Sequence, residues 1–273
     1  KKYLCTSMRR VKMTILKHEM RQGRNSLIIW TAVIAFMLGV CILIYPEMSK
    51  QMDGIGEAFA NMGGFSAAFG MDKINFGEFI GFFGVECGNV LGLGGAFFAA
   101  LTGISALSKE EREHTDEFLL THPVSRQSVI AQKLVSVVAQ IIILNAAAVC
   151  VTALSAIMIG ELPEIKPLAL TFAAHLIMQI EIAAICFGIS AFIGRGGLGL
   201  GLGLAAAFYF LNIIANLTES AEFLKYFTPF GYTDSADIIA DGRIEIKYLA
   251  VGIIFTVIGI ISAFWKYGQK DIS

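Results

Sequence analysis

Glu86 and Glu181 are the residues whose chemistry is hardest to reconcile with their surroundings, because each carboxyl stands inside an otherwise apolar stretch. On a helix, Glu86 lies eight residues beyond Glu78, about 12 Å into a hydrocarbon layer about 30 Å thick. Glu181 is 14 residues from both Pro167 and Arg195. That puts it near the middle of its stretch. A glutamate so placed, if it behaves like aspartate on insertion scales, costs about 2.5 to 3.5 kcal/mol and cancels several leucines. Such a group faces a protein interior or a wet cavity. Its chemistry there is contact with a cation or polar ligand, a proton-sensitive gate, or an internal hydrogen bond to Asn89, Gln140, Asn145, His175 or Gln179.

Other chemistries find less support. The four histidines are scattered, and no CxxC or Cys/His pair has metal spacing, so no metal site is expected. Cys41, Cys87, Cys150 and Cys186 stand in apolar stretches and Cys5 in a basic one, which suits neither a disulfide frame nor ligation. No HExxH motif or plausible Ser/His pairing lies in the apolar stretches, and no GxxxxGK[ST] loop occurs. The glycine-rich run GRGGLGLGLGLAAAF begins at a short turn and continues inside an apolar stretch, so it is no phosphate loop.

The elements that position the carboxyls follow from composition. With 56% hydrophobic residues, 16% charged and a mean hydropathy of +0.68, the chain is too apolar for a water-facing surface. Six segments are long enough to span: roughly Ser26 to Tyr45, Phe79 to Leu107, Leu134 to Ile159, Leu168 to Ile193, Leu198 to Leu217 and Tyr248 to Trp265. Their length makes them helices, which satisfy their own backbone in lipid. The fold class is therefore an all-α integral membrane protein with six transmembrane helices. Fifteen of the 21 Lys and Arg residues fall before the first span, in the segment after the second, in the turn at Arg195, and after the last span. Both termini and that segment are accordingly cytoplasmic. The net charge of −1 gives no sign of a nucleic-acid partner.

Residues 1–273 read as one transmembrane domain. Residues 1–25 are no cleavable signal; with Val11, Ile15 and Leu16 alternating with Lys12, Lys17 and Arg21, they suit an interfacial helix or a plain basic anchor. Residues 26–107 hold spans one and two with an external loop, in which Met48, Met52, Ile55, Phe59 and Met62 form an apolar helical face that floats in the outer headgroups or contacts a hydrophobic substrate. Residues 134–273 hold spans three to six. Gly84, Gly88 and Gly92 in span two, and Gly199 and Gly203 in span five, recur at helical spacing and offer smooth faces for packing within the subunit or at a dimer seam. Near the end, KYFTPFGYTD is either an ordinary interfacial loop with Phe227, Phe230 and Tyr232 at headgroup depth or a re-entrant element. A short helix from Thr233 to Ala240 would stop at Gly242.

Residues 108–133 form the densest polar segment. Ser108 followed by Glu111 reads as a capping box for a new cytoplasmic helix, Glu110 and Glu111 oppose its dipole, and the helix runs to about Thr121 because His122 precedes Pro123. Ser125 then caps a helix that leads into span three. The first helix presents Phe118, Leu119 and Leu120 beside carboxylates, an apolar knob with charges to fix its register on a soluble partner.

The stretch Glu111, Glu113, Thr115, Glu117, Leu119, Leu120, Thr121, Pro123, Val124, Ser125, Arg126 and then Lys133 resembles the signature of type-2 ABC exporter permeases, in particular the nitrous-oxide-accessory and bacteriocin-immunity branch. His114 stands where that family has glycine. The KYFTPFGYTD stretch resembles the aromatic Ser/Thr-Pro-Phe segment before the family's final span. The resemblance implies that the hairpin helix is a coupling helix, with Glu111, Glu113, Thr115, Glu117, Phe118, Leu119, Leu120, Pro123 and Arg126 contacting a separate ATPase. It implies no cofactor in this chain, ATP and Mg bound by two partner ATPase subunits, and a second permease, identical or homologous. The expected activity is export of a hydrophobic or amphipathic substrate, a peptide, lipid-like molecule or drug, across a prokaryotic cell membrane. Glu86, Asn89, His175 and Glu181 are the candidate translocation path. The alternative is a secondary transporter dimer that works through its intramembrane carboxylates.

Overall fold

The computed structural model describes residues 2–52, 63–68, 71, 74, 75, 77–113, 125–193 and 197–269. Helix α1 runs Lys2–Met52 without interruption. Leu27, Ile34, Leu38, Ile42 and Tyr45 recur every three, four or seven residues and are buried, while Ile28, Ile29, Val33, Phe36 and Met37 point outward. That division is what an apolar helix adopts when one face meets protein and the other lipid. Residues 2–25 run on into the first span as one continuous helix. The part nearest the first span packs on another helix: the Leu16 N–H donates to Gln132 Oε1 at 3.3 Å.

A one-turn helix, α2 (Gly64–Ala68), precedes helix α3, which is built from an α-helical turn Phe79–Phe82, a π-helical turn Phe83–Cys87 and a long α-helical part Gly88–Glu113. Helix α3 therefore extends past the apolar stretch that ends at Leu107. The expected capping box at Ser108 does not form: the Ser108 hydroxyl donates to the Ile104 carbonyl at 2.7 Å, and the helix carries on through Glu110 to Glu113. A serine whose hydroxyl is satisfied one turn back has no need to start a new helix.

Helix α4 is Arg126–Ile159, opened by Ser125, whose side chain accepts from the Ser128 N–H, and closed by Gly160 at φ +78°. Helix α5 is Ile165–Ser190 and helix α6 is Leu198–Leu217. Two 3-10 turns (Glu219–Phe227 and Pro229–Tyr232), helix α7 (Ser235–Asp241) and helix α8 (Ile246–Gly268) complete the chain. Asp234 caps α7, and Gly242 at φ +63° ends it as expected from the sequence.

The six long helices have the length and composition to cross a membrane, at the six places expected. Helices α3 and α5 pack on each other at the centre, with α1 and α4 paired on one side and α6 and α8 on the others. Helix α5 buries residues on every side, including Thr171, His175, Gln179 and Glu181, so its polar groups must be satisfied inside the protein.

The segment after α6 folds back into the bundle. Pro229, Phe230, Gly231 and Tyr232 are all buried, and Gly231 lies against the Lys225 backbone where a side chain would collide. Phe230 and Tyr232 are therefore core residues and not headgroup aromatics. Phe227, in contrast, is 58% exposed.

Candidate functional site

A polar cavity of about 50 Å³ opens where α3, α5, α6 and α7 meet. It has room for one or two waters. The glycines of α3 make this approach possible. A side chain at Gly88 would run into Ser235, one at Gly84 into Ile239, and a Cβ at Gly92 would stand 3.2 Å from His175 Nε2. Gly84, Gly88 and Gly92 thus seat helices of the same subunit.

Two of the four expected path residues, Asn89 and His175, line this cavity. His175 is held by the Thr171 carbonyl 2.8 Å from Nδ1. A carbonyl can only accept, so the ring proton sits on Nδ1. Asn89 donates to the Val85 carbonyl and accepts from the Tyr209 hydroxyl at 3.3 Å. Asn212 and Asn216 on α6 each bring an Oδ1 that accepts no hydrogen bond, and Asn216 donates to Asp234 at 2.9 Å. Tyr209, Asn212 and Asn216 were not among the expected residues. They lie one turn apart on an otherwise apolar helix, a signal present in the sequence.

Glu181 is elsewhere, between α5 and α8. It is 2% exposed, and the Tyr232 hydroxyl donates to its Oε2 at 2.8 Å. Gly252 of α8 lies against the carboxyl, in space a side chain would fill. Burial, and then the neighbouring carboxylate, push the Tyr232 phenol up, so it remains a donor. Gln179 forms a further buried link, accepting from Asn145 Nδ2 at 2.6 Å while its amide faces Gly95 and the Leu91 carbonyl. Glu86 is half-buried within the π-helical turn of α3, outside the cavity lining. Such turns widen a helix locally and are frequent at functional positions.

At the start of α6 the packing glycines are its N-cap Gly197 and Gly201, where a Cβ would stand 3.0 and 2.9 Å from Ile104 side-chain atoms. Gly199 and Gly203 have open space beside them among the described residues. They face away from α3.

Of the expected coupling residues, Arg126 opens α4 and donates to the Gly268 carbonyl at the end of α8. Glu111 and Glu113 fall in the last turn of α3, with side chains outside the described residues, as are Thr115, Glu117, Phe118, Leu119, Leu120 and Pro123 entirely. Ile55, Phe59 and Met62 of the external loop also lie outside them. Within the first turns of α4, Lys133 is 1% exposed and donates to Glu19 Oε1 at 3.0 Å and to the Ala106 carbonyl at 2.7 Å. One ammonium thus joins α1, α3 and α4.

Among the described residues no group of three or more His, Cys, Asp or Glu side chains is placed to hold a metal ion. Six apolar helices around interior polar links make this a multi-pass membrane protein of the transporter kind. The chain belongs to the ABC-2 transporter family: the model described as "ABC-2 family transporter protein" matches residues 13–272. Its members are in general non-catalytic membrane subunits associated with ABC ATPases. No curated protein matches the chain.

Proposed function

We propose that this chain is the membrane subunit of an ATP-driven exporter in a prokaryotic cell membrane, moving a hydrophobic or amphipathic substrate out of the cytoplasm. Both termini and the segment 108–133 face the cytoplasm. Two such subunits, identical or homologous, work with two ATPase subunits that bind ATP and Mg. The coupling contact is made by Glu111, Glu113, Thr115, Glu117, Phe118, Leu119, Leu120, Pro123 and Arg126.

The observation that supports this reading is how the start of α4, next to that segment, is tied down. Arg126 reaches the end of α8, and Lys133 fastens α4 to α1 and α3. A push on the start of α4 therefore reaches four spans at once, as a lever driven by a partner requires. A carrier that loads an ion on Glu181 fits less well, because that carboxyl is enclosed by Tyr232 and Gly252 and lies apart from the polar cavity.

The test is co-expression with a candidate ATPase subunit. The ATPase should copurify with the chain and be lost on Leu119→Asp or Glu117→Ala, while the Gly199→Leu protein, altered on the outward face of α6, keeps it. Retention of the ATPase by both hairpin variants would sink the proposal.

A further inference from the structure

We infer that a groove between α5, α6 and α8 seats one acyl chain of an anionic phospholipid, with Lys266 at its mouth meeting the acidic head group. The groove encloses about 330 Å³, within the range of small-molecule sites. Phe192, Phe208, Phe227 and Phe255 stand in its walls. Its floor is Gly188 and Gly259, where the backbones of α5 and α8 meet, and a Cβ on either would stand 2.6 Å from a carbonyl oxygen of the other helix. Such a site requires only that the six helices cross a bilayer, so it stands or falls independently of the export activity.

The groove suits an alkyl chain and little else. Ser262 brings the one polar side chain among the described residues that line it, and its hydroxyl already donates to the Gly259 carbonyl at 2.8 Å. An occupant is therefore held by burial of methylenes rather than by hydrogen bonds. Phe192, Phe227 and Ile258 are 54%, 58% and 56% exposed, which leaves the groove open on the side of the helices that faces lipid. Glu181, one turn before Ile185, is enclosed by Tyr232 and Gly252 and does not line it.

Length and charge select the class of lipid. From Lys266 to Phe255 is eleven residues, about 16 Å along α8, which is the depth of one leaflet in a core about 30 Å thick. A chain whose head lies at Lys266 thus ends near the midplane. Lys266 is exposed, and its ammonium stands 5.8 Å from the centre of the Phe192 ring, at the end of the groove. A cation–π contact holds an exposed lysine only weakly, and among the described residues no carboxylate pairs with Lys266. Arg126, donating to the Gly268 carbonyl, adds a second positive charge at the same end of α8. An acidic phosphodiester complements these charges, whereas a choline head group would bring a further cation beside them.

The experiment uses the full chain in phosphatidylcholine nanodiscs that carry a trace of photolipid, either phosphatidylglycerol or phosphatidylcholine, each with a diazirine at the end of the same acyl chain. Phosphatidylglycerol should label residues 185–189 and 255–259 about fivefold more than its control, as one lysine beside an anionic head group is worth. That preference should disappear in Lys266→Gln, persist in Lys266→Arg, and shrink in about 1 M salt, where charges are screened beyond about 3 Å. Ile258→Trp, which fills the groove two turns from Lys266, should abolish labelling there by both lipids. Equal labelling of the wild type by the two lipids, a preference that survives Lys266→Gln, or unchanged labelling of the Ile258→Trp protein would overturn the inference. A groove labelled by neither lipid would mean that another protein surface covers it, and would overturn the inference as well.

Discussion

The Tyr232 hydroxyl donates to Glu181 Oε2 across 2.8 Å, joining the segment after α6 to the middle of α5. Tyr232→Phe leaves the buried carboxyl without this donor and should destabilise the protein by about 1 to 3 kcal/mol. Glu181→Gln keeps an acceptor and nearly the same volume, so its loss should be smaller. Gly252→Ala pushes a methyl into the carboxyl and should resemble Tyr232→Phe. Melting temperatures of the purified variants give the order. A Glu181→Gln protein that melts below Tyr232→Phe would show that the carboxyl has another indispensable partner.

Lys133 near the start of α4 and Glu19 of α1 form a pair 3.0 Å apart, with the lysine side chain fully buried. Breaking a buried pair from one side leaves an uncompensated charge and costs about 3 to 5 kcal/mol. Lys133→Met should fall at the lower end, because the Glu19 side chain is 14% exposed and water can reach it. The double change Lys133→Met with Glu19→Gln should recover part of the loss. A double-mutant cycle on denaturant midpoints measures the coupling, and strict additivity would mean that the pair contributes nothing.

How far the sequence reveals this structure depends on how local the deciding physics is. Span positions are set by apolar length, and all six were legible. The Ser125 cap of α4 and the short helix α7 with its Gly242 stop were also legible, since each is decided within a turn. Ser108 looked like a cap for the same local reasons, yet the choice between starting a helix and continuing one turned on its bond to Ile104. Phe230 and Tyr232 are apolar enough for the interface or the core, and only tertiary packing put them in the core. The glycine run of α6 offers two registers two residues apart, and Ile104 on α3 selects Gly197 and Gly201. Glu181 was found because a carboxyl in lipid stands out; its partners Tyr232 and Gly252 lie 51 and 71 residues away in the chain, where no spacing rule reaches.

The same glycine registers predict opposite outcomes for one kind of substitution. Gly88→Leu meets Ser235 and Gly92→Leu meets His175, so each should prevent α7 or α5 from seating and reduce the yield of folded subunit. Overpacking of this kind costs about 1 to 3 kcal/mol or more. Gly199→Leu and Gly203→Leu enter open space and should leave subunit stability within about 0.5 kcal/mol. Detergent-extracted yield and size-exclusion profiles distinguish the pairs. Equal yields for all four variants would contradict the packing of α3 described above.

Outside the spans, Glu222 makes folding sensitive to acid. The Tyr248 hydroxyl donates to Glu222 Oε1 at 2.8 Å, and this bond, followed by the charges of Lys247 and Lys225, holds the carboxyl below its ordinary value of 4.5. A carboxylate with a lowered folded-state value stabilises above its unfolded value, and that contribution disappears as pH falls through the folded one. Tyr248→Phe removes the donor while retaining the ring that packs on Tyr226 at 4.8 Å. The wild type should therefore be the more stable at pH 7, and its lead should shrink as pH drops below about 4.5. Because Glu222 is exposed, the lysine share should fade in about 0.5 M salt while the hydrogen-bond share persists. Acid titration of melting temperature in both proteins, at low and high salt, checks the sign. A lead that grows towards low pH would mean that Glu222 is protonated in the folded state and that the Tyr248 bond does not favour its charged form.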